Sequence, residues 1–362
     1  MTAVDAGVGK FMKAVRLFHH GGPEVLMYTD VPVPEVGPDE VLIRVHATSV
    51  NSWDLRYRAG NLPSKPIPGR APFPLPFQLG RDAAGEIVEV GANVTRWRVG
   101  DRVLQMTQPA CGQCAMCLRG KENLCVDTAI PGHQIFGGYA EYIARNQHAI
   151  LAIPDGVDYN NAAATLWTYA TPLNCLRRAP VGPGDTVVIT GASGATATAC
   201  AQLAKLRGAV VIGTTTKPGR VERLKSVGFD HVLQSTDPQM ADRVRELTHG
   251  LGADVVWDCV GGNEFFQLSV SCTRLGGSVI VLGAPFDSGW GLELDVMSFI
   301  FKELSVLGIR ANTRRDQQVC LELLANGKIN PIIDRSFPLQ QAVEAHDYLE
   351  SQRQIGKVLL LP

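Results

Sequence analysis

The chain has 362 residues, room for two domains at about 100–200 residues each, and its 45% apolar and 19% charged content excludes a disordered polymer. Lys and Arg (34) nearly cancel Asp and Glu (35), leaving a net charge of −1 with no long run of one sign, so nucleic acid is not the expected main partner. No run approaches the about 18–20 apolar residues of a membrane span, and the opening MTAVDAGVGKFMKAV lacks the basic-then-apolar order of a secretory leader.

Nine cysteines in such a chain read as thiols or metal ligands rather than as a disulfide framework, and the cytoplasm is the expected compartment. Residues 1–11 read as a tail, followed by a strand at Met12–Leu17. Val41–His46, Gly85–Val90 and Asp101–Leu104 are short β-branched runs broken by Gly and Pro, which predicts a β-rich domain. Between them, residues 61–77 hold prolines at 63, 66, 68, 72, 74 and 76. Proline fixes φ and lacks an N–H, so this is an extended loop, either plain surface or the rim of a substrate site.

Cys111, Cys114, Cys117 and Cys125 follow the spacing C-x2-C-x2-C-x7-C. Four thiolates at this spacing close round one tetrahedral zinc and leave it no open position, which makes the ion structural. An iron–sulfur cluster is the rival, although Val126 rather than proline follows the last cysteine. The other cysteines, 175, 200, 259, 272 and 320, lie on apolar segments and read as core.

Beyond residue 180 the pattern turns to strand, helix, strand. Thr186–Thr190, Ala209–Gly213, Asp254–Val260 and Gly277–Gly283 are apolar at nearly every position, as parallel strands covered on both faces are. Gly191-Ala192-Ser193-Gly194-Ala195-Thr196 links the first strand to a helix predicted over Ala195–Arg207. A glycine turn there lets backbone and helix N-terminus meet a pyrophosphate. The next strand leads into Gly213-Thr-Thr215-Thr-Lys217-Pro-Gly-Arg220 with no acid to bond a ribose 2′-hydroxyl. Lys217 and Arg220 would attract a 2′-phosphate, which favours NADPH over NADH; the alternative is a solvated helix start. Thr215, Val260, Gly261, Leu282, Gly283 and Lys357 complete the expected cofactor set. The last fifty residues return to the earlier style, with helices near Asp316–Asn326 and Leu339–Ser351 and strands near Asp334–Phe337 and Gly356–Leu361.

Gly80-x-Asp-x-Ala-Gly85-x-Ile-x-x-Val-Gly91, Gly100-Asp-Arg-Val, the cysteine lobe, Gly138-Tyr-Ala-Glu-Tyr142 and the Gly191 turn together resemble the medium-chain dehydrogenase/reductase superfamily. The resemblance implies an α/β chain: a GroES-like β-rich catalytic domain (1–155, with the lobe at 108–126), a doubly wound Rossmann domain (156–310), and a return to the first domain over 311–362. It also implies a small-molecule substrate and a homodimer, with a tetramer as the alternative; Ser298–Gly308 is a candidate intersubunit strand.

Zinc alcohol dehydrogenases of this superfamily hold a second, catalytic zinc. Here its three ligand regions read Ser49-Val-Asn51-Ser-Trp-Asp54, Gly80-Arg81-Asp82 and Leu166-Trp-Thr168, so that zinc is expected to be absent. Arginine stays protonated and cannot ligate a metal. Val50-Asn51-x-x-Asp54 is similar instead to the zinc-free quinone oxidoreductases, which usually lack the cysteine lobe. The expected reaction is NADPH-dependent reduction of a quinone or activated alkene. Asn51 is expected near the nicotinamide or substrate oxygen, Tyr57 as proton donor, and Arg81 either as enolate stabiliser or in a salt bridge with Asp54 or Asp82. An alcohol or aldehyde reductase, and an NADPH-binding sensor with little turnover, are the alternatives.

Overall fold

The computed structural model describes residues 8–61, 73–284 and 291–362; most of the proline loop lies outside them. In chain order the elements are β1 (Phe11–Leu17), β2 (Leu26–Pro32), β3 (Glu40–Val50), α1 (Ser52–Ala59), β4 (Ala83–Val90), β5 (Arg102–Gln105), β6 (Tyr142–Asn146), β7 (Ile150–Ala152) and α2 (Tyr159–Arg178). There follow β8 (Thr186–Ile189), α3 (Ala195–Leu206), β9 (Val210–Thr215), α4 (Val221–Ser226), β10 (His231–Gln234), α5 (Met240–Leu247), β11 (Ala253–Asp258), α6 (Asn263–Cys272) and β12 (Thr273–Val281). The chain ends with α7 (Val296–Phe301), β13 (Ser305–Gly308), α8 (Arg314–Ala325), β14 (Ile333–Pro338), α9 (Ala342–Glu350) and β15 (Lys357–Leu361).

The chain divides into two compact units, Met1–Ala170 with Ala311–Pro362, and Thr171–Arg310. The division falls inside α2 rather than ahead of it at residue 155. In the first unit a mixed sheet runs β14-β15-β3-β4-β5-β7, with β6 also on β3, and β1–β2 form a separate hairpin. Its core is the inward face of alternating strands: Val41, Ile43, Val45, Ile87, Val103, Ile143 and Ile150. Strand register gathers distant residues at one end of this sheet. Thr48 pairs with Ala83 and Leu359 with Ser49, which brings the ends of three strands, and so Asn51, Asp82 and Lys357, to one place.

In the second unit six parallel strands run β10-β9-β8-β11-β12-β13. β8 and β11 are neighbours although the chain leaves β8 toward β9, so the order reverses there. In open α/β sheets that reversal opens a ligand crevice at the carboxyl ends of the strands. Val188, Ile212, Val256, Phe266, Val270 and Val279 form the core beneath. β10 was not visible in the sequence because its residues are only half buried, and so lack the all-apolar pattern of its neighbours. The segment Ser298–Gly308 is not one strand: Asp295 caps α7 through the N–H groups of Met297 and Ser298, and only Ser305–Gly308 pairs, in parallel with β12.

Candidate functional site

The cysteine lobe is built for one ion. All four Sγ atoms lie within 4.8 Å of one another, with Cys114 3.5 Å from Cys117 and 3.9 Å from Cys125, and Cys111 4.0 Å from Cys117. A tetrahedron of zinc–sulfur bonds of about 2.3 Å has edges of about 3.8 Å, so the residues fit zinc. Backbone N–H groups support the sulfurs: Cys114 N–H points at Cys111 Sγ (3.3 Å) and Cys111 N–H at Cys125 Sγ (3.4 Å). The N–H groups of Cys117 and Val126 hold the Cys114 thiol down at about 6, whereas burial pushes Cys117 up to about 12 and raises Cys125. Cys175, Cys200, Cys272 and Cys320 are buried core, and Cys259 is half-buried.

The second cluster lies where the resemblance puts the catalytic zinc. β3 delivers Asn51 to the N-cap of α1, and the Asp54 carboxylate accepts the N–H groups of Asn51 (2.8 Å) and Gly80 (3.3 Å). Gly80 has φ +102°, and a Cβ there would meet Tyr139 Cδ1 at 2.6 Å and Gly138 N at 2.7 Å. Only glycine fits, which is why the Gly80 and Gly138-Tyr139 motifs go together. Gln105 Nε2 donates to the Arg81 carbonyl at 2.9 Å and pins the same turn.

Asn51 is held at both ends of its amide. Nδ2 donates to Asp82 Oδ2 (3.2 Å) and Ser49 Oγ (3.3 Å); Oδ1 accepts from Lys357 Nζ at 2.5 Å. Lys357 Nζ is also 3.8 Å from Asp82 Oδ2, and burial lowers its pKa against the pull of Asp82 and Asp54. Asp82 accepts further from Ser49 Oγ and from the Trp167 N–H (3.2 Å). Burial raises the Asp54 carboxyl to about 6, opposed by the nearby Arg81 cation.

Arg81 is 1% exposed. Its Nη2 donates to Tyr57 Oη at 2.9 Å, and its guanidinium lies 4.4 Å from the Trp167 ring centroid and 5.6 Å from that of Tyr57. The expected salt bridge with Asp54 or Asp82 is not formed: backbone N–H groups hold Asp54, and Ser49, Asn51 and the Trp167 N–H hold Asp82. Nε and Nη1 of Arg81 have no hydrogen-bond partner, nor has Oγ1 of buried Thr168. An amide, a guanidinium and an indole now stand in the ligand regions, a donor set that does not fit zinc. The sequence alone did not reveal the pairing of Arg81 with Trp167. Two bulky residues gained together at two lost ligand regions were the available signal.

In the second unit the predicted turn stands at the carboxyl end of β8. Gly191 has φ +65°, and a Cβ there would meet Val260 Cγ2 at 2.7 Å. Gly194 is the N-cap of α3, and no side chain caps that helix. Its first turn, Ala195 and Thr196 included, therefore offers N–H groups and positive dipole to an anion. Ala192 N–H is tied to the Thr214 carbonyl (2.8 Å), and Ser193 is half-buried at the tip of the turn.

Thr190 Oγ1 donates to Asp258 Oδ1 (2.9 Å) and accepts from Cys259 N–H (2.9 Å). Asp258 also takes the N–H groups of Val260 (3.1 Å) and Gly261 (2.9 Å), and its carbonyl takes those of Leu282 and Gly283. These two residues thus fix all three strand ends beside the turn. A carboxylate inside the apolar run Asp254–Val260 was the missed signal, since a buried charge needs partners. At the end of β9, Thr215 Oγ1 accepts the Lys217 N–H (3.1 Å), and Lys217 and Arg220 flank a short turn close enough for Arg220 to help lower the Lys217 ammonium, behind partial burial. The nucleotide loop fits a dinucleotide phosphate by an uncapped helix, an open glycine and a nearby basic pair.

Among the described residues no helix is long and apolar enough to cross a membrane. The alcohol dehydrogenase GroES-like domain matches residues 37–155, and the zinc-binding dehydrogenase family matches 195–326. A sorbitol dehydrogenase of Halalkalibacterium halodurans is 32% identical, the match covering 97% of this chain and 99% of the relative. A quinone oxidoreductase of Pseudomonas aeruginosa is 30% identical with the same coverage. A putative zinc-binding dehydrogenase of Sinorhizobium meliloti, solved bound to NADP, superposes with a TM-score of 0.86 at 28% identity, over 98% of this chain and 100% of that one. On motifs, fold and full-length similarity alike, the chain belongs to the medium-chain dehydrogenase/reductase superfamily and is an oxidoreductase of that type.

Proposed function

We propose that this oxidoreductase reduces a quinone or a conjugated enone with NADPH, without catalytic zinc and with one structural zinc in the cysteine lobe. The observation that carries the reading is Arg81, a buried cation with unused N–H donors in the region where a metal ligand is expected. A simple carbonyl concentrates alkoxide charge on one oxygen and calls for a Lewis acid. A conjugated acceptor spreads that charge into an enolate or hydroquinone anion, which hydrogen bonds from one guanidinium can stabilise.

When bound, NADPH supplies hydride to the acceptor. Gly191, Ala192, Ser193, Gly194, Ala195 and Thr196 would hold its pyrophosphate, Thr215, Lys217 and Arg220 its phosphorylated ribose, and Val260, Gly261, Leu282 and Gly283 the strand-end side of the cofactor. Asn51, fixed by Lys357 and Asp82, would orient the reacting oxygen or carboxamide. Tyr57 would donate the proton, its hydroxyl aimed by Arg81. A panel of quinones, enones, alcohols and aldehydes, with NADPH and NADH, tests this. Turnover confined to alcohols and simple aldehydes, or dependent on a second metal ion, overturns it. That outcome belongs to the second reading, an alcohol or aldehyde reductase, which the likeness to a sorbitol dehydrogenase favours.

The same proposal includes a homodimer. β13 is an edge strand, and beside it α7 exposes Val296 (60%), Ile300 (60%) and Phe301 (75%), an edge and apolar face that call for cover. Sedimentation of an Ile300→Glu, Phe301→Glu double variant as monomer, against a wild-type dimer, supports it. A wild-type monomer overturns it. Nine unpaired cysteines suit a reducing compartment such as the cytoplasm.

A further inference from the structure

The second unit holds a group of thiols that the proposed reaction does not use. Cys200 lies about a turn and a half into α3 and is fully buried. Cys259 follows β11 at its carboxyl end and is half-buried, so a small reagent can reach it. The fold brings the two together: the Cys200 thiol is hydrogen-bonded to that of Cys259. Burial and this bond keep the proton on Cys200, so Cys200 donates and Cys259 Sγ accepts. Cys175 of α2 is buried nearby, where the Cys259 sulfur acts on it through charge.

Position gives the pair its consequence. The Cys259 N–H donates to Thr190 Oγ1, the hydroxyl that also holds Asp258. The next residue, Val260, closes against Gly191, where a Cβ would lie 2.7 Å from the valine Cγ2. One sulfur therefore sits on the helix that the nucleotide turn opens, and the other on the strand end packed against that turn. A disulfide needs about 2.05 Å between its sulfurs, much less than hydrogen-bonded thiols keep. With no slack at Gly191, drawing the sulfurs together has to move the turn.

We propose that Cys259 is an oxidation site for hydroperoxides and that Cys200 is its resolving partner. The Cys259 thiolate attacks hydrogen peroxide and takes one oxygen as the O–O bond breaks, giving a sulfenic acid and hydroxide. The Cys200 sulfur then attacks Cys259 Sγ. The S–S bond forms, the S–O bond breaks, and the Cys200 proton leaves with the departing oxygen as water. Two thiols and one peroxide become one disulfide and two waters, and a dithiol reverses the change. The bond itself does not depend on the substrate. Its expected effect on the cofactor rests on the reading of the Gly191 turn as a pyrophosphate seat.

The test takes the full chain with its zinc, treats it with a small excess of hydrogen peroxide, alkylates it and digests it without reductant. A peptide pair joined through Cys200 and Cys259 is expected, and dithiothreitol should separate it. The Kd for NADPH, read from its fluorescence, is expected to rise about ten-fold on oxidation and to return on reduction. Cys200→Ala is expected to leave a sulfenic acid on Cys259 that dimedone traps, and to hold the Kd within about two-fold after the same treatment. If that variant does not fold, Cys259→Ala, at the half-buried position, should show neither the cross-link nor the loss of affinity.

Cys259 left untouched by peroxide, or joined to Cys175 in place of Cys200, overturns the proposal. A loss of affinity that persists in Cys259→Ala, or a disulfide that leaves the Kd unchanged, overturns its link to the cofactor turn. A chain that forms the bond but never turns over a quinone or enone fails the reduction reading and leaves this inference standing.

Discussion

The first unit contains two places where the superfamily offers a metal, and they have gone opposite ways. The cysteine lobe keeps all four donors within 4.8 Å, while the Asn51–Arg81–Trp167 cluster has none that suits zinc. The lobe takes its ligands from one stretch of fifteen residues, 111–125, so local spacing alone preserves it. The cluster draws on β3, the Gly80 turn, α2 and β15, so a change in one segment has to be met by the others. Here it has been met by charge: two fixed monocations, Arg81 and Lys357, stand against two carboxylates, Asp54 and Asp82, where a divalent ion would otherwise sit. The lesson is that one fold can lose the donors of one metal position and keep those of another, because different physics holds each set.

The sharpest way to break this contrast is to count metal. Zinc analysis is expected to give about one ion per chain in the wild type and close to none in Cys114→Ser, because three thiolates leave the site open and weak. Two ions per chain would erase the difference between the two places. Arg81→Met should leave that single zinc untouched and lower kcat/KM for a quinone by about 10²–10³-fold, the usual loss on removing an oxyanion donor. A change under about three-fold would make Arg81 structural. Smaller again, Lys217→Ala with Arg220→Ala should raise the KM for NADPH about ten-fold and move that for NADH by less than about two-fold, since only the former carries a 2′-phosphate. Equal changes with both cofactors would remove the basis for NADPH preference.

The same contrast explains what could be read before the structure was known. The Gly191 turn, the all-apolar parallel strands and the cysteine spacing are local patterns, and β8, β9, β11, β12 and the lobe appear where they were expected, to within a few residues at their ends. The losses at Asn51, Arg81 and the Trp167 region were equally plain as a sequence of substitutions. Their compensation was not. That Lys357 reaches Asn51 depends on β15 pairing with β3, across 306 positions of sequence, and nothing in either segment announces it. α7 was missed because Val296–Phe301 is apolar on nearly every side, which imitates a buried strand and carries no helical period. β10 failed for the opposite reason, having too little burial to show a pattern at all.

A last test concerns Asp54, and it asks whether Arg81 also serves as a distant counter-charge. Burial raises this carboxyl from 3.8 to about 6, and Arg81 limits the rise. A raised acid pKa means the folded state holds the proton more tightly than the unfolded chain does. The stability this contributes is complete below about pH 4 and is lost as pH climbs through 6, in all about 3 kcal/mol, with a slope no steeper than about 1.4 kcal/mol per pH unit. His346 works against it: burial and Arg58 depress its pKa to about 3, so its share grows between pH 3 and 6.5. Subtracting the denaturation profile of Asp54→Asn from that of the wild type cancels His346 and the cysteine lobe. The difference should show the wild type losing ground as pH rises from 4 to 6. In an Arg81→Met background the same difference should extend to higher pH and grow, because the cation that restrains Asp54 has gone. An unchanged profile would mean that Arg81 does not act on Asp54 electrostatically, and its charge would then be left for a ligand alone.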